Sequence, residues 1–194
     1  MSLDKLNVLG IVGSLRKGSY NKLLVENAFM MLPAGSYAEI FDISGIPLFN
    51  QDIEKDPPEE VRLLKEKIRA SDIIFISTPE YNHSYSGVLK NALDWVSRPP
   101  IDNPFVSKVV AVFSASTGSI GGSRAQEHLR VVLEALGAYA VPRPEVIITN
   151  ADKKFSSEGK LADPAASELI RKLVGEAIKL ALAIKQAGKV VQLG

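Results

Sequence analysis

The stretch Leu6-Asn7-Val8-Leu9-Gly10-Ile11-Val12-Gly13-Ser14-Leu15-Arg16-Lys17-Gly18-Ser19-Tyr20-Asn21 decides how the rest of the chain is read. Residues 6–12 form a short apolar run closed by Gly13, the pattern of a parallel strand buried on both faces. Residues 21–32 then set Leu23, Leu24, Ala28 and Met31 at helical spacing and stop before Pro33. The loop between carries the hydrogen-bonding side chains Ser14, Ser19 and Asn21 and the cations Arg16 and Lys17. The helix that follows leaves backbone N–H groups free at its N-terminus, with a partial positive charge. Together these make a phosphate site. Gly13 and Gly18 have P-loop spacing, but Ser19-Tyr20 stand where Lys-Ser/Thr should follow, and no GxGxxG is present. A plain βα turn capped by Ser19 explains that serine but not the other donors.

The strand-to-helix pattern recurs downstream. Residues 37–43 alternate as a second strand, and 57–70 form a helix with prolines at its start and Val61, Leu64 and Ile68 on one face. Residues 72–77, with Ile73, Ile74, Phe75 and Ile76, read as a third buried strand. A helix over 86–96 aligns Leu89, Leu93 and Val96; a fourth strand spans 109–113; a helix over 121–136 ends at Gly137. Residues 139–141 and 146–149 make a fifth strand broken by Pro142 and Pro144, and 164–186 a long terminal helix. The alternation predicts a single α/β domain over 1–194, a five-stranded parallel sheet with helices on both faces. Ligands of such sheets bind at the C-terminal strand ends near the topological switch point, which singles out the segments after strands one, three and four.

Composition narrows the chemistry. With 194 residues, 23 basic and 22 acidic, the net charge is +1, so a nucleic-acid binder held mainly by phosphate neutralisation is not supported and no nucleic-acid partner is expected. Cysteine is absent, which excludes disulfides, thiolate metal sites, iron–sulfur clusters and a cysteine nucleophile. His83 and His128 lie far apart in sequence, so no zinc-hydrolase pair is formed and no metal site is expected. The N-terminal residues lack the basic-then-apolar order of a signal peptide, no apolar run approaches the ~20 residues of a membrane span, and the expected compartment is the cytoplasm.

Two further loops complete the candidate site. Ser77-Thr78-Pro79-Glu80-Tyr81-Asn82-His83-Ser84 follows the third strand. Pro79 biases Thr78 to an extended conformation and leaves an aromatic, an amide and backbone N–H groups at the sheet edge, which suits a flat heteroaromatic ring. Glu80 can equally be a solvated charge, and His83 a rim residue with a possible part in proton transfer. Ser114 to Gly122 follows the fourth strand, where small residues let backbone approach a ligand. Read alone, this third loop is also consistent with a flexible helix cap.

These motifs resemble the NADPH-dependent FMN reductases. Gly13 to Asn21 is similar to their phosphate loop, Pro79-Glu-Tyr-Asn82 followed by Gly87-Val-Leu-Lys-Asn-Ala-Leu-Asp-Trp95 to their second hallmark, and Ser116-Thr-Gly118 with Gly121-Gly-Ser-Arg124 to their third. Within the family the chain looks like the bacterial quinone and chromate reductases, which have a flavodoxin-like fold. The resemblance implies bound, non-covalent FMN, with Ser14, Arg16, Ser19, Tyr20 and Asn21 at the phosphate, Pro79, Glu80, Tyr81 and Asn82 along the isoalloxazine, and Ser116 and Gly118 completing the pocket. It also implies assembly as a homodimer or homotetramer, with Arg124 and Glu145 as candidate contacts to a neighbouring subunit. Tyr85-Ser86 stands where the family often has an apolar residue and proline, a departure that leaves flavin binding intact and, with His83, could alter the substrate rim. Trp95 is expected in the core or an interface.

The implied chemistry is hydride transfer from NADPH or NADH to the flavin, then delivery of two electrons to quinones, flavins or chromate-like acceptors in a ping-pong cycle. No side chain stands out as a general acid, and none is assigned as catalytic. A flavodoxin-type electron carrier is the principal alternative, although such carriers tend to be strongly acidic and this chain is at +1. A receiver module would need an acidic pair after strand one, where Gly13-Ser14 stand. A structural oligomer holding another phosphate ligand would be colourless.

Overall fold

The structure is a computed structural model and describes residues 5–191. The elements run β1 (Asn7–Val12), α1 (Tyr20–Phe29), β2 (Tyr37–Phe41), α2 (Glu59–Ala70), β3 (Ile73–Ser77), β4 (Glu80–Tyr81), β5 (Ser84–Tyr85), α3 (Gly87–Val96), β6 (Val109–Ala115), α4 (Ser123–Ala135), β7 (Tyr139–Ala140), β8 (Val146–Ile148) and α5 (Pro164–Val191). The main sheet is parallel in the order β2-β1-β3-β6, with β7 and β8 both paired to the free edge of β6. β7 meets Val109 and Val110, and β8 meets Phe113, Ser114 and Ala115. They are one fifth strand in two pieces, interrupted where Pro142 and Pro144 have no N–H to give the ladder. This is the five-stranded, flavodoxin-like sandwich that the sequence predicts.

Strand β3 shows why its sequence is apolar without alternation. Ile73 and Phe75 face a core formed with α1 and α5, whereas Ile74 and Ile76 face a second core under α2, α3 and α4. Each face needs its own hydrophobic set. Gly10 lets α1 approach the sheet, since a Cβ there would lie 2.9 Å from both Val25 Cγ1 and Ile40 Cγ1. Trp95 is fully buried, as expected; its Nε1 donates to Pro47 O at 2.8 Å and Phe49 packs edge-on at 5.1 Å between centroids.

Several boundaries move for identifiable reasons. The helix expected over 121–136 begins at Ser123, because Gly121 and Gly122 adopt left-handed φ values of 69° and 97°. The helix expected over 21–32 begins one residue earlier and stops at Phe29. The segment 80–85, read as loop, is a two-residue β-hairpin. Asn82 and His83 form its turn with φ of 49° and 64°, as the type I′ hairpins that match strand twist require.

Chain direction sets the site. From β1 the path goes through α1 to β2 on one side and through α2 to β3 on the other. The crevice between β1 and β3 is therefore the switch point.

Candidate active site

Gly13 opens the first loop and fixes its course. Its N–H donates to Ser77 O at 2.8 Å, and a Cβ would sit 2.7 Å from Ser86 Oγ and 2.8 Å from Thr78 Oγ1. The glycine lets this loop pass against the start of α3. Ser19 is the N-cap of α1, and its hydroxyl oxygen accepts the Lys22 N–H at 3.3 Å, so its own O–H remains available to a ligand. Ser14 is half-buried, whereas Arg16 and Lys17 are exposed; among the described residues neither cation has a carboxylate within 4 Å. Tyr20 starts the helix, half-buried with its ring 5.7 Å from Phe155.

Asn21 has a different role from the phosphate contact assigned to its side chain. It is 4% exposed and points into the sheet. Its Nδ2 donates to Ala115 O at 3.0 Å, while its Oδ1 accepts the Ala115 N–H at 3.0 Å and the Ser77 hydroxyl at 2.9 Å. The amide thus stitches α1 to the C-terminal ends of β3 and β6. A buried amide finds its partners inside, and only the Asn21 backbone, in the first turn of the helix, remains for an anion.

The second loop is the hairpin. Pro79 leads into it, and Thr78 Oγ1 accepts the Ser86 N–H at 3.2 Å, closing its base. The Glu80 carboxylate is not solvated: its side chain is 12% exposed and accepts both the Arg124 N–H and Arg124 Nη1 at 3.2 Å. Arg124, considered for a neighbouring subunit, is thus bound within its own chain. Tyr81 is 53% exposed, and Asn82 and His83 stand at the exposed tip. His128 Nδ1 lies 3.0 Å from Ser84 Oγ, so the two histidines, distant in sequence, both serve this hairpin. Tyr85 is not at a substrate rim: it alternates inward, is 9% exposed and packs in the core under α3 and α4. Burial, with a smaller contribution from the Asp94 charge, pushes its phenol up to about 12. Ser86 caps α3.

The third loop is tied down. Ser116 N–H donates to Ile148 O at 2.9 Å, Ser116 O accepts the Ala151 N–H at 3.0 Å, and Ser116 Oγ accepts the Gly118 N–H at 3.1 Å. The close approaches made by Gly121 and Gly122 are to the protein itself, with Cβ positions 2.5 Å from Ile147 Cγ2 and 2.7 Å from Ser114 Cβ.

All three loops meet in one cleft of about 150 Å3 at the β1/β3 switch point. It brings together Ser14, Arg16, Ser19, Tyr20 and Asn21 with Pro79, Glu80, Tyr81 and Ser116. Asn82 lies outside the lining at the hairpin tip, and Gly118 two residues beyond Ser116. Thr117 and Ala115 line it without having been singled out, although Thr117 lay inside the third motif. The donor set suits a phosphate monoester: two hydroxyls, an unpaired guanidinium and a helix N-terminus, facing a carboxylate already neutralised by Arg124. Among the described residues no group of three or more His, Cys, Asp or Glu could hold a metal ion.

A family model described as NADPH-dependent FMN reductase matches residues 6–153. The chain belongs to the NADPH-dependent FMN reductase family. It is 47% identical over 169 residues to an NAD(P)H-dependent FMN reductase of Pseudomonas aeruginosa, covering 87% of this chain and 91% of the relative. It is 42% identical over 145 residues to a quinone reductase of Escherichia coli, covering 73% and 77%. The solved structure of the flavoenzyme NAD(P)H:(acceptor) oxidoreductase FerB from Paracoccus denitrificans superimposes with a TM-score of 0.84 at 32% identity, covering 92% of this chain and 98% of that one. Membership in this family of FMN-dependent NAD(P)H oxidoreductases makes the chain an enzyme and gives FMN as its cofactor and NAD(P)H as its reductant.

Proposed function

We propose that the three-loop cleft holds FMN and that this enzyme passes electrons from NAD(P)H to small diffusible acceptors, quinones first, with free flavins and chromate-like oxidants as further members of the class. The convergence of an unpaired cation, free hydroxyls and a helix N-terminus with an exposed aromatic hairpin at one switch point carries this assignment. Ser14, Arg16, Ser19 and the first-turn N–H groups of Tyr20 and Asn21 would take the phosphate, and the Pro79 to Asn82 hairpin with Ser116 and Gly118 would border the ring.

FMN, when bound, supplies the two-electron redox chemistry that no side chain here provides. The residues position and polarise. Backbone N–H groups of a pinned loop and a clamped hairpin are fixed donors that need no reorganisation when negative charge develops beside them. Tyr81 offers an open apolar face for planar substrates. Reductant and acceptor share that face in turn, so the kinetics are ping-pong; initial-rate lines that intersect for every substrate pair would overturn this order.

We further read the chain as a single flavodoxin-like domain that self-associates as a homodimer or homotetramer in the cytoplasm, with the exposed Glu145, paired to the exposed Arg143 of its own chain at 3.2 Å, on the surface a neighbouring subunit would meet. Among the described residues no helix is long and apolar enough to cross a membrane. The decisive test is anaerobic mixing of FMN-loaded protein with NADPH or NADH, followed by benzoquinone, FMN or chromate. Bleaching by nucleotide and recovery on quinone are expected. A flavin that stays oxidised would favour a flavodoxin-type carrier, and a protein that never retains FMN would remove the assignment.

A further inference from the structure

A second cleft, of about 310 Å3, flanks the first loop on its other side. β2 and β3 border β1 on opposite edges, so one cleft opens toward β3 and the other toward β2, with Ser14 and Arg16 walling both. The lining of the second cleft divides by chemistry. Leu15, 53% exposed, faces Phe41 and the buried Ile43 and makes an apolar wall. Arg16, Lys17 and Lys22 make a cationic rim, and among the described residues none of the three has a carboxylate within 4 Å.

One carboxylate, Asp42, lines the same space, but it is already engaged. Its Oδ1 accepts the Ser44 N–H at 2.9 Å. Hydrogen bonding from Ser44, with the nearby Lys22 charge, holds its carboxyl below the usual range. The cleft therefore has three cations against one anion, and Lys17 and Lys22 still outnumber Asp42 when Arg16 is taken by the FMN phosphate. Lys17 and Lys22 do not line the FMN cleft, so the phosphate of FMN does not account for them.

We propose that this second cleft takes the 2′-phosphoadenosine end of NADPH. The inference rests on the oxidoreductase assignment above and adds which nucleotide the protein selects. NADH and NADPH differ by one phosphate on the adenosine ribose, so surplus cation placed at that end favours NADPH. In dinucleotide-binding sheets the acid at the end of the second strand takes the ribose hydroxyl of NAD, and a nearby arginine accommodates the NADP phosphate. Here the acid at that position, Asp42, accepts from Ser44, and Lys17 and Lys22 add two cations that the FMN cleft does not use. The apolar wall suits an adenine, and the volume lies at the lower bound of about 300 Å3 for small-molecule sites.

The test uses FMN-loaded protein, so that the first loop's phosphate site is filled. Adenosine 2′,5′-bisphosphate, 5′-AMP and inorganic phosphate are each titrated calorimetrically into the wild type and into a Lys17→Gln/Lys22→Gln double variant. The bisphosphate should bind about tenfold or more tightly than either of the others, and the double variant should remove that advantage. In steady state the variant should raise the KM for NADPH about tenfold, with NADH as the internal control and FMN content unchanged. The proposal is overturned by bisphosphate binding no tighter than 5′-AMP or inorganic phosphate, by binding indifferent to the double variant, or by equal KM shifts for both nucleotides. If neither nucleotide bleaches the flavin, the oxidoreductase assignment fails, while the titrations still decide the cleft.

Discussion

Glu80 and Arg124 are joined twice: one carboxylate oxygen accepts the Arg124 backbone N–H and the other its guanidinium, both at 3.2 Å. The pair ties the hairpin to the start of α4, whose N-cap Gly122 has no capping side chain of its own. Glu80 supplies that cap from a different element, and its charge suits the helix N-terminus. Because the hairpin borders the proposed ring site and α4 follows the third loop, one ion pair sets the spacing of two of the three loops. Glu80→Ala should weaken FMN retention roughly tenfold, equivalent to about 1.4 kcal/mol, and Glu80→Gln, which can still accept the N–H, by less. Flavin fluorescence on dilution measures the order, and an alanine variant that holds FMN like the wild type would refute the clamp.

Asn21 should matter to the fold before it matters to any ligand. Asn21→Ala leaves the Ala115 N–H and carbonyl and the Ser77 hydroxyl, all at buried positions, without their partner. The loss should be about 2–4 kcal/mol, because buried groups left unpaired keep their full desolvation penalty. Urea unfolding of the FMN-free protein should show a lower midpoint at unchanged slope. An unchanged midpoint, with only FMN affinity reduced, would return Asn21 to the phosphate.

The layered sheet was legible in the sequence because its strands are buried on both faces, which leaves runs such as Ile73 to Ile76 unbroken by polar residues. The donor-rich turn proposed for the phosphate was legible as a strand-to-helix loop because strand, donors and helix are contiguous. What escaped depends on contacts between distant segments. Nothing near Asn21 indicates that its amide will meet Ala115, 94 residues away. The Glu80 carboxylate reads as solvated until α4 is brought against it. The hairpin had a local signal in Asn82-His83, an asparagine in a two-residue turn, but with only two residues on each side it lacked the alternation that marks strands. Gly121 and Gly122 were legible as special backbone, and only the packing shows that they accommodate β6 and β8.

Arg16 and Lys17 are neighbours in sequence with different surroundings. Arg16 lines the cleft proposed for FMN and Lys17 does not. Arg16→Ala should loosen FMN roughly tenfold or more, as expected for a lost charge-assisted bond to phosphate, and Lys17→Ala by no more than about twofold. Flavin-release titrations at fixed salt separate them. Equal and small effects would mean that hydroxyls and the helix N-terminus hold the phosphate unaided.

Tyr85 gives a stability signature at alkaline pH. Its phenol is pushed up to about 12 in the folded chain, by burial first and the Asp94 charge second, against about 10 when unfolded. Between these values the unfolded chain loses the proton while the folded chain keeps it, so the unfolded state binds fewer protons and stability falls as pH rises. The contribution is fully present below pH 10 and lost as pH climbs through 12. Tyr85→Phe keeps the buried ring and removes the titration. The two proteins should unfold at similar urea concentrations at pH 8, and by pH 11 the wild type should have lost about 1 kcal/mol more than the variant. Taking the difference cancels the other tyrosines, whose alkaline titration is common to both proteins. A difference that stays flat from pH 8 to pH 11 would mean that water reaches the phenol in the folded chain, which would put Tyr85 back on the rim of the site and make it a candidate for acceptor choice.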